Sequence, residues 1–335
     1  MRAWQTIGAG APHDVLRLEG DAVAPESSAG MLRVAVVAAG IGLPDALMCR
    51  GSYALTPAKR PFTQGQEVVG RVVDWGEGVL GFEAGERVMG VTGFVGGDGG
   101  FAEECPVYAD FCFPVLDGMS DAEAACFTIP FHTAYIALVA RGRLEAGETL
   151  LVLGAAGGTG QAAVQLGKAL GARVIAVAGG PEKGAFCAEL GADVVIDHCA
   201  QSIDEAVLAA TFGAGADAVY DPVGGEAFAA ATRCVAHEGR ILAVGFASGA
   251  FGTTNTEHLV YNNYSVMGVI PSRYDRAFKE RAHLELMRWY EGGQLRPRVA
   301  EVVPFEALPG ALERLLDRGV LGKLCLAVAP DAMRA

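Results

Sequence analysis

The residues from Thr149 to Phe186, TLLVLGAAGGTGQAAVQLGKALGARVIAVAGGPEKGAF, join a strand-like run, a cluster of small residues and a helix-like stretch. The cluster is Gly154-Ala155-Ala156-Gly157-Gly158-Thr159-Gly160, and the helical stretch after it ends at Gly171. Small side chains at a strand-to-helix turn let the main chain approach a pyrophosphate. The start of the helix adds free N–H groups and a partial positive charge. Against the spacing G-x-G-x-x-G, Ala155 replaces the first glycine, while Gly157 and Gly160 hold theirs. A glycine-rich turn alone carries little weight. Here a strand precedes it, a helix follows and a second strand lies beyond, so dinucleotide binding is expected rather than a plain structural turn.

Sites that take NAD usually carry an acid about 20 residues further on, which holds the ribose 2′-hydroxyl. The second strand, Val174–Val177, instead runs into Ala178-Gly179-Gly180, with no carboxylate. Lys183 follows shortly, and His198 stands just past the third strand. A missing acid with cationic or donor groups nearby suits a 2′-phosphate, so NADPH is the expected cofactor. Glu182 works against this, and Lys183 and His198 also read as a solvated helix-start lysine and a capping residue. Gly245-Phe246-Ala247-Ser248 follows a strand C-terminus, where open α/β sheets bind ligands, and is expected at the adenosine end.

These groups need elements to hold them. Apolar strands Leu150–Leu153, Val174–Val177, Val194–Ile196, Ala218–Tyr220 and Ile241–Val244 are separated by helical stretches, a pattern that predicts a parallel sheet covered on both faces. Gly171, Gly191 and Gly239 read as helix C-terminal caps. Before about Pro114 short β runs alternate with glycine turns: Leu32–Val37, Val68–Trp75, Arg87–Val91 and Phe101–Val107. After about Pro271 come a helix (Arg276–Glu291), a β run (Val299–Val303), a helix (Phe305–Arg318) and a closing strand (Lys323–Val328).

A chain of 335 residues has length for two cores. Its net charge of −13 argues against nucleic acid or an anionic membrane as partner, though a local site can still be cationic. No basic flank precedes an apolar core at the N-terminus, and no run of about 18 apolar residues occurs, so neither a secretion signal nor a membrane span is expected. The 8 cysteines are scattered without a CxxC pair, as expected of reduced thiols in a cytoplasmic protein.

Further segments stand in order around the glycine-rich turn. They are GQEVVGRVVDWGEGV (65–79), GFAEECPV (100–107), AACFTIPFHTAYIAL (124–138), GADVVID (191–197), GADAVYDPVGGEAF (215–228), GRILAVGFASG (239–249) and GVLGKLCLAV (319–328). Together they resemble the medium-chain dehydrogenase/reductase superfamily, in its zinc-free quinone oxidoreductase (zeta-crystallin-like) branch. The resemblance implies an α/β fold. A GroES-like β-barrel catalytic domain would comprise residues 1–126 and 271–335, with an inserted Rossmann doubly wound parallel sheet at 127–270. It also implies hydride transfer from NADPH to a quinone or activated alkene in a cleft between the domains, and a homodimer or homotetramer.

Several residues acquire roles through that resemblance. Thr133 matches the position near the nicotinamide ribose, and Asp45 the acidic member of an Asn-x-x-Asp element whose asparagine is Gly42 here. The polar side chain expected beside the nicotinamide is thus missing. Tyr53 either lines the pocket and donates its O–H or packs in the barrel. His132 reads as a structural histidine at a helix start, and Tyr264 either stacks on a ligand or packs. Zinc-dependent relatives place a cysteine near residue 40, Gly-His-Glu around 65–67 and a four-cysteine lobe soon after. This chain has Ala39-Gly40-Ile41-Gly42, then Gly65-Gln66-Glu67, and no cysteine cluster. Glutamine is a poor zinc ligand, and Cys49, Cys105 and Cys112 have no histidine at ligand spacing, so no metal is expected. Two other functions stay open. An enoyl-thioester reductase would want a basic groove, whereas only Arg273, Arg276 and Lys279 are scattered here. A cofactor-binding regulatory protein without turnover is kept in view by Gly42.

Overall fold

Residues 1–335 are described by a computed structural model that divides into two units. One comprises Met1–Ile129, Asp275–Arg281 and Pro297–Ala335; the other comprises Pro130–Tyr274 and Ala282–Arg296. The chain begins with β1 (Ala3–Thr6), α1 (Pro12–Val15), β2 (Leu16–Glu19), β3 (Met31–Ile41), α2 (Leu43–Cys49), β4 (Phe62–Thr63), β5 (Glu67–Trp75), β6 (Arg87–Thr92), β7 (Glu104–Pro114), α3 (Asp121–Ala125) and α4 (Thr128–Tyr135). The middle holds β8 (Thr149–Val152), α5 (Gly158–Ala169), β9 (Arg173–Ala178), α6 (Pro181–Glu189), β10 (Val194–Asp197), α7 (Ile203–Ala210), β11 (Ala216–Asp221), α8 (Gly225–Thr232), β12 (Val235–Ala243), α9 (Thr256–Asn262) and β13 (Ser265–Gly268). Then follow α10 (Arg276–Glu291), β14 (Val299–Pro304), α11 (Leu308–Leu316) and β15 (Lys323–Ala327). No helix is long and apolar enough to cross a membrane.

In the first unit, alternation along β3 buries Leu32, Val34 and Val36 and turns the residues between them outward. The sheet runs β14-β15-β3-β5-β6-β7, and β3 also pairs with β7, closing the strands on themselves. Val68, Val72, Val88, Val107, Leu324 and Leu326 fill the interior. Burying one such side chain contributes about 1.5–3 kcal/mol. Gly40 is required by crowding: a Cβ there would lie 2.3 Å from the Ala125 carbonyl oxygen and 2.8 Å from Glu67 Oε1. That close approach sets α3 against β3 and Glu67 against both.

In the second unit, near-continuous apolar strands form the all-parallel order β10-β9-β8-β11-β12-β13. Counted from β8, this is the Rossmann order, which reverses between β8 and β11. Leu151, Ile175, Val177, Val219 and Ile241 belong to its core.

Three expectations differ from the structure. Phe101 precedes β7, because Gly100 and Phe101 donate their N–H groups to the carbonyls of Gly65 (2.8 Å) and Gln64 (2.9 Å). Gly171 and Gly191 do follow α5 and α6 in the left-handed region (φ 82° and 97°), but Gly239 lies inside β12 and ends no helix. The expected boundaries also shift. The chain passes between units at 129/130 and 274/275, and residues 282–296 group with the parallel sheet. Side chains explain that grouping: Tyr135 donates to Glu285 (2.8 Å), His283 Nδ1 lies 3.2 Å from His132 Nε2, and the Arg296 N–H donates to Gln165 (2.7 Å).

Candidate active site

The glycine-rich turn leaves the sheet where the strand order reverses. Past β8, the N–H of Leu153 bonds the Tyr220 carbonyl (3.0 Å) and that of Ala155 bonds the Val177 carbonyl (3.0 Å). The turn therefore grows out between β11 and β9. Gly154 turns the chain in the left-handed region (φ 59°), the Gly157 N–H closes onto its carbonyl (3.0 Å), and Gln161 to Gly157 is the first bond of α5 (2.9 Å). A Cβ on Gly160 would stand 2.2 Å from the Gly154 oxygen and 2.8 Å from Ala155 Cα. Only glycine lets α5 sit this close to the turn. Gly158, Thr159 and Gly160 form the first helical turn, whose N–H groups have no intrahelical acceptor. Such a cradle fits a diphosphate. Tyr220 on β11 is fully buried, and that burial pushes its phenol well above its usual range.

The outer part of this site gathers at the ends of β9 and β10. Gly179 and Gly180 follow Ala178, and His198 lies over them: its Nε2 is 2.9 Å from where a Gly179 Cβ would be. Lys183 is half-buried in the first turn of α6. Glu182 is exposed on the same turn, but the carboxylate held at this corner is Asp197. Its Oδ1 accepts the N–H groups of Gly180 and Cys199, both at 2.9 Å. Those two backbone bonds hold Asp197 below the usual carboxylate range. Sequence reasoning missed Asp197, although it ends the GADVVID segment. Cys199 is exposed, with Sγ 3.9 Å from His198 Nδ1, while the other cysteines are buried.

The 245–248 loop runs along the end of β11. Gly245 bonds Asp221, Ala247 bonds Pro222 and Ser248 bonds Val223, at 3.2, 3.0 and 2.9 Å. Phe246 packs on Phe251 with centroids 4.6 Å apart, and the Ser248 hydroxyl donates to the Ala250 carbonyl (3.1 Å). Tyr264 packs: it is buried, its oxygen 2.9 Å from Thr254 Oγ1 and 3.0 Å from His258 Nδ1. Thr133 and His132 are buried on α4, and the His132 ring stacks on His283 at 5.4 Å. That stack ties α4 to α10, the structural role expected of His132.

The remaining candidates, Gly42, Asp45 and Tyr53, belong to the barrel unit. Gly42 precedes α2, and Asp45 reaches back from its first turn. Asp45 Oδ2 accepts the Gly42 N–H at 2.8 Å and Oδ1 the Gly65 N–H at 3.2 Å. Asp45 is 1% exposed. Burial pushes its carboxyl up to about 7, against the pull of those two bonds and of Lys323. Glu67 is equally buried; its Oε2 accepts the Ile129 N–H at the start of α4 (2.8 Å), and its Oε1 lies 2.5 Å from Lys323 Nζ. Burial is the largest influence on Lys323 and opposes its charge, but Glu67, Cys126 and Asp45 together raise the lysine above its ordinary value. Tyr53 is half-buried against Met48, Phe62 and Phe94 and bonds the Gln66 side chain; burial raises its phenol. It thus packs in the barrel while keeping a polar contact.

A zinc ion finds no ligand set in this cluster. Gly42 offers no side chain, Gln66 offers an amide, and the Lys323 ammonium repels a dication. No group of three or more His, Cys, Asp or Glu residues could hold a metal. Lys323 and Glu67, the ion pair of this cluster, were not singled out from sequence. The only signal was the placement of both inside segments that carried the resemblance.

Known proteins agree with this architecture. Residues 28–117 match the family model of the alcohol dehydrogenase GroES-like domain, and residues 158–287 match that of the zinc-binding dehydrogenase. The quinone oxidoreductase-like protein 2 of Bos taurus is 34% identical over 301 residues, covering 89% of this chain and 85% of that protein. A probable oxidoreductase from Mycobacterium abscessus has 36% identity and a TM-score of 0.84, with 98% of each chain covered. The Escherichia coli quinone oxidoreductase complexed with NADPH has 26% identity and a TM-score of 0.88, covering 98% of this chain and 100% of that one. With a GroES-like barrel, a Rossmann sheet and relatives of this likeness, the chain belongs to the medium-chain dehydrogenase/reductase superfamily, among its quinone oxidoreductase-like members.

Proposed function

We propose that this oxidoreductase reduces quinones or α,β-unsaturated carbonyls with NADPH and uses no zinc. The observation that carries the reading is the barrel cluster. Where zinc-dependent relatives have a thiolate near residue 40 and an imidazole at 66, this chain has Ala39-Gly40-Ile41-Gly42 and Gln66, with the buried Lys323 ammonium in the same barrel. Without a Lewis acid, simple alcohol oxidation at neutral pH loses its means of making an alkoxide. Acceptors that are already electrophilic need only orientation and donors for the developing oxyanion.

NADPH, when bound, supplies the hydride. The main chain of Ala155, Gly157, Gly158, Thr159 and Gly160 would hold its diphosphate. Lys183 and His198 would hold its 2′-phosphate, beside Gly179 and Gly180, and Gly245, Phe246 and Ser248 would flank the adenosine. By resemblance, Thr133 and Gly42 would lie toward the nicotinamide. Tyr53 brings an O–H to the barrel side.

Assembly as a homodimer is part of the proposal. Strand β13 is an edge of the parallel sheet with Ser265, Val266 and Gly268 exposed, and Val260 and Tyr261 of α9 are exposed close by in the chain (72% and 79%). An uncovered strand with apolar neighbours is a template for pairing with a second copy.

Purified protein mixed with NADPH and, separately, a benzoquinone, an alkenal and a crotonyl thioester tests the activity through NADPH consumption, with and without a chelator. Turnover with the first two, unchanged by chelation, is expected. Turnover with the thioester alone would reject the reading, and cofactor binding without any turnover would point to a regulatory protein.

A further inference from the structure

A phenol lies unused beneath the glycine-rich turn. Tyr220 pairs with Val152 of β8, and Ala218, two residues earlier, pairs with Leu150. Side chains alternate along a strand and partners in register share a face, so Leu150, Val152, Ala218 and Tyr220 point the same way. Helix α5 covers that face, because a Cβ on Gly167 would lie 2.6 Å from Leu150 Cδ2 and 3.1 Å from Val174 Cγ2. Leu151 and Val219, turned the other way, join the core on the opposite side. The Tyr220 hydroxyl is buried under α5 and has no hydrogen-bond partner, which costs free energy in the folded chain. The polar side chain that acts on it is that of Thr159, half-buried in the first turn of α5, although the two do not bond. Threonine in a helix keeps two χ1 rotamers open, and its hydroxyl can accept one hydrogen bond while donating another.

We propose that Tyr220 is a positioning residue for the coenzyme diphosphate: its buried O–H donates to the Thr159 hydroxyl and turns that hydroxyl to donate to a phosphate oxygen. The inference rests on the coenzyme reading above, and it adds a side-chain donor to a cradle otherwise made of main-chain N–H groups. Before the coenzyme arrives, Thr159 has no acceptor to face and the phenol stays unpaired. Once a phosphate oxygen stands at the start of α5, one rotation of Thr159 satisfies both hydroxyls. A chain of hydrogen bonds that ends on an anion is stronger than its neutral links alone. The unpaired phenol of the empty protein is thus converted into affinity for the diphosphate, the part that NADPH and NADH share. Lys183, by contrast, is assigned to the part in which they differ.

The test is calorimetric titration with NADPH and with NADH, beside thermal unfolding of the coenzyme-free protein. Tyr220→Phe removes one oxygen and leaves the ring in place. It is expected to unfold at or above the wild-type midpoint, since no hydroxyl stays buried unpaired, and to bind both coenzymes about threefold to tenfold more weakly, by the same factor. Thr159→Val should weaken both about tenfold, and Thr159→Ser, which keeps the hydroxyl, should bind as wild type does. The double variant Tyr220→Phe, Thr159→Val should bind as Thr159→Val does, because the phenol acts only through the threonine. Wild-type affinity in folded Tyr220→Phe, or losses that multiply in the double variant, overturns the assignment. If Tyr220→Phe does not fold, the valine and serine variants decide: equal affinities overturn it. Wild-type protein that gives no heat with either coenzyme overturns the coenzyme reading itself.

Discussion

Asp45→Asn isolates one buried proton. In the folded protein this carboxyl is pushed up to about 7, against an ordinary 3.8 for the unfolded chain. Between these values the folded protein holds a proton that the unfolded chain has released. Raising the pH across that window therefore favours unfolding, and the loss is complete once the pH passes the folded value. From pH 5.5 to 8.5 the folded group ionises near the middle of the range, so wild type loses about 2 kcal/mol through Asp45, at 1.36 kcal/mol per pH unit below the folded value. Asparagine has one acceptor where Asp45 has two, each occupied by a backbone N–H. The substitution should therefore cost about 1–3 kcal/mol at every pH. That offset is flat, whereas the proton effect is not. Urea unfolding in a Trp289→Phe background, where Trp4 and Trp75 report on the barrel unit, should show the variant gaining about 2 kcal/mol on wild type between pH 5.5 and 8.5. A gap that stays constant, or widens against the variant, would mean that Lys323 keeps Asp45 ionised throughout.

Other perturbations are read more simply. Gly160→Ala drives a Cβ into the Gly154 carbonyl at 2.2 Å; it should lower stability by about 1–3 kcal/mol and abolish the calorimetric heat of NADPH binding, and unchanged heat would show that α5 can slide. Lys183→Ala should weaken NADPH about tenfold or more and NADH hardly at all, as expected for one charge-assisted bond to a phosphate; titrations that weaken equally would exclude this residue from reading the phosphate. Gly40→Ala meets backbone and Glu67 together, so thermal unfolding should reveal a loss of about 1–3 kcal/mol, whereas an unshifted midpoint would show that α3 gives way.

What the sequence makes legible is what is local. The strand, glycine turn and helix around Gly154–Gly160 lie in consecutive residues, so spacing alone predicts the turn that we propose as the diphosphate cradle. Helix α10 is recognisable because its periodicity runs unbroken from Arg276 to Glu291. Gly239 misleads because a glycine after a small-residue helix reads as a cap, while here it sits where β12 crowds Ala216. The cluster of Asp45, Glu67 and Lys323 is illegible for a different reason. Pairing of β15 with β3 and of β3 with β5 joins residues far apart in the chain, and no local pattern marks that register. The His132–His283 stack is hidden likewise, since each histidine alone reads as an ordinary helix residue. Asp197 was in plain view, but only the fold of β9 against β10 shows that its carboxylate serves the Gly180 N–H.

The lone accessible thiol gives the molecule a built-in reporter. Cys199 should react quickly with a maleimide in the native state and the other seven only after unfolding, so one dye per chain would be attached without any mutagenesis. Its neighbour His198 and the Gly179–Gly180 corner make that dye a spectator of whatever occupies the corner proposed to take the ribose end of the dinucleotide. Fluorescence from it could follow coenzyme arrival and departure in real time, while an oxidant reaching the folded protein would meet this sulfur before any other.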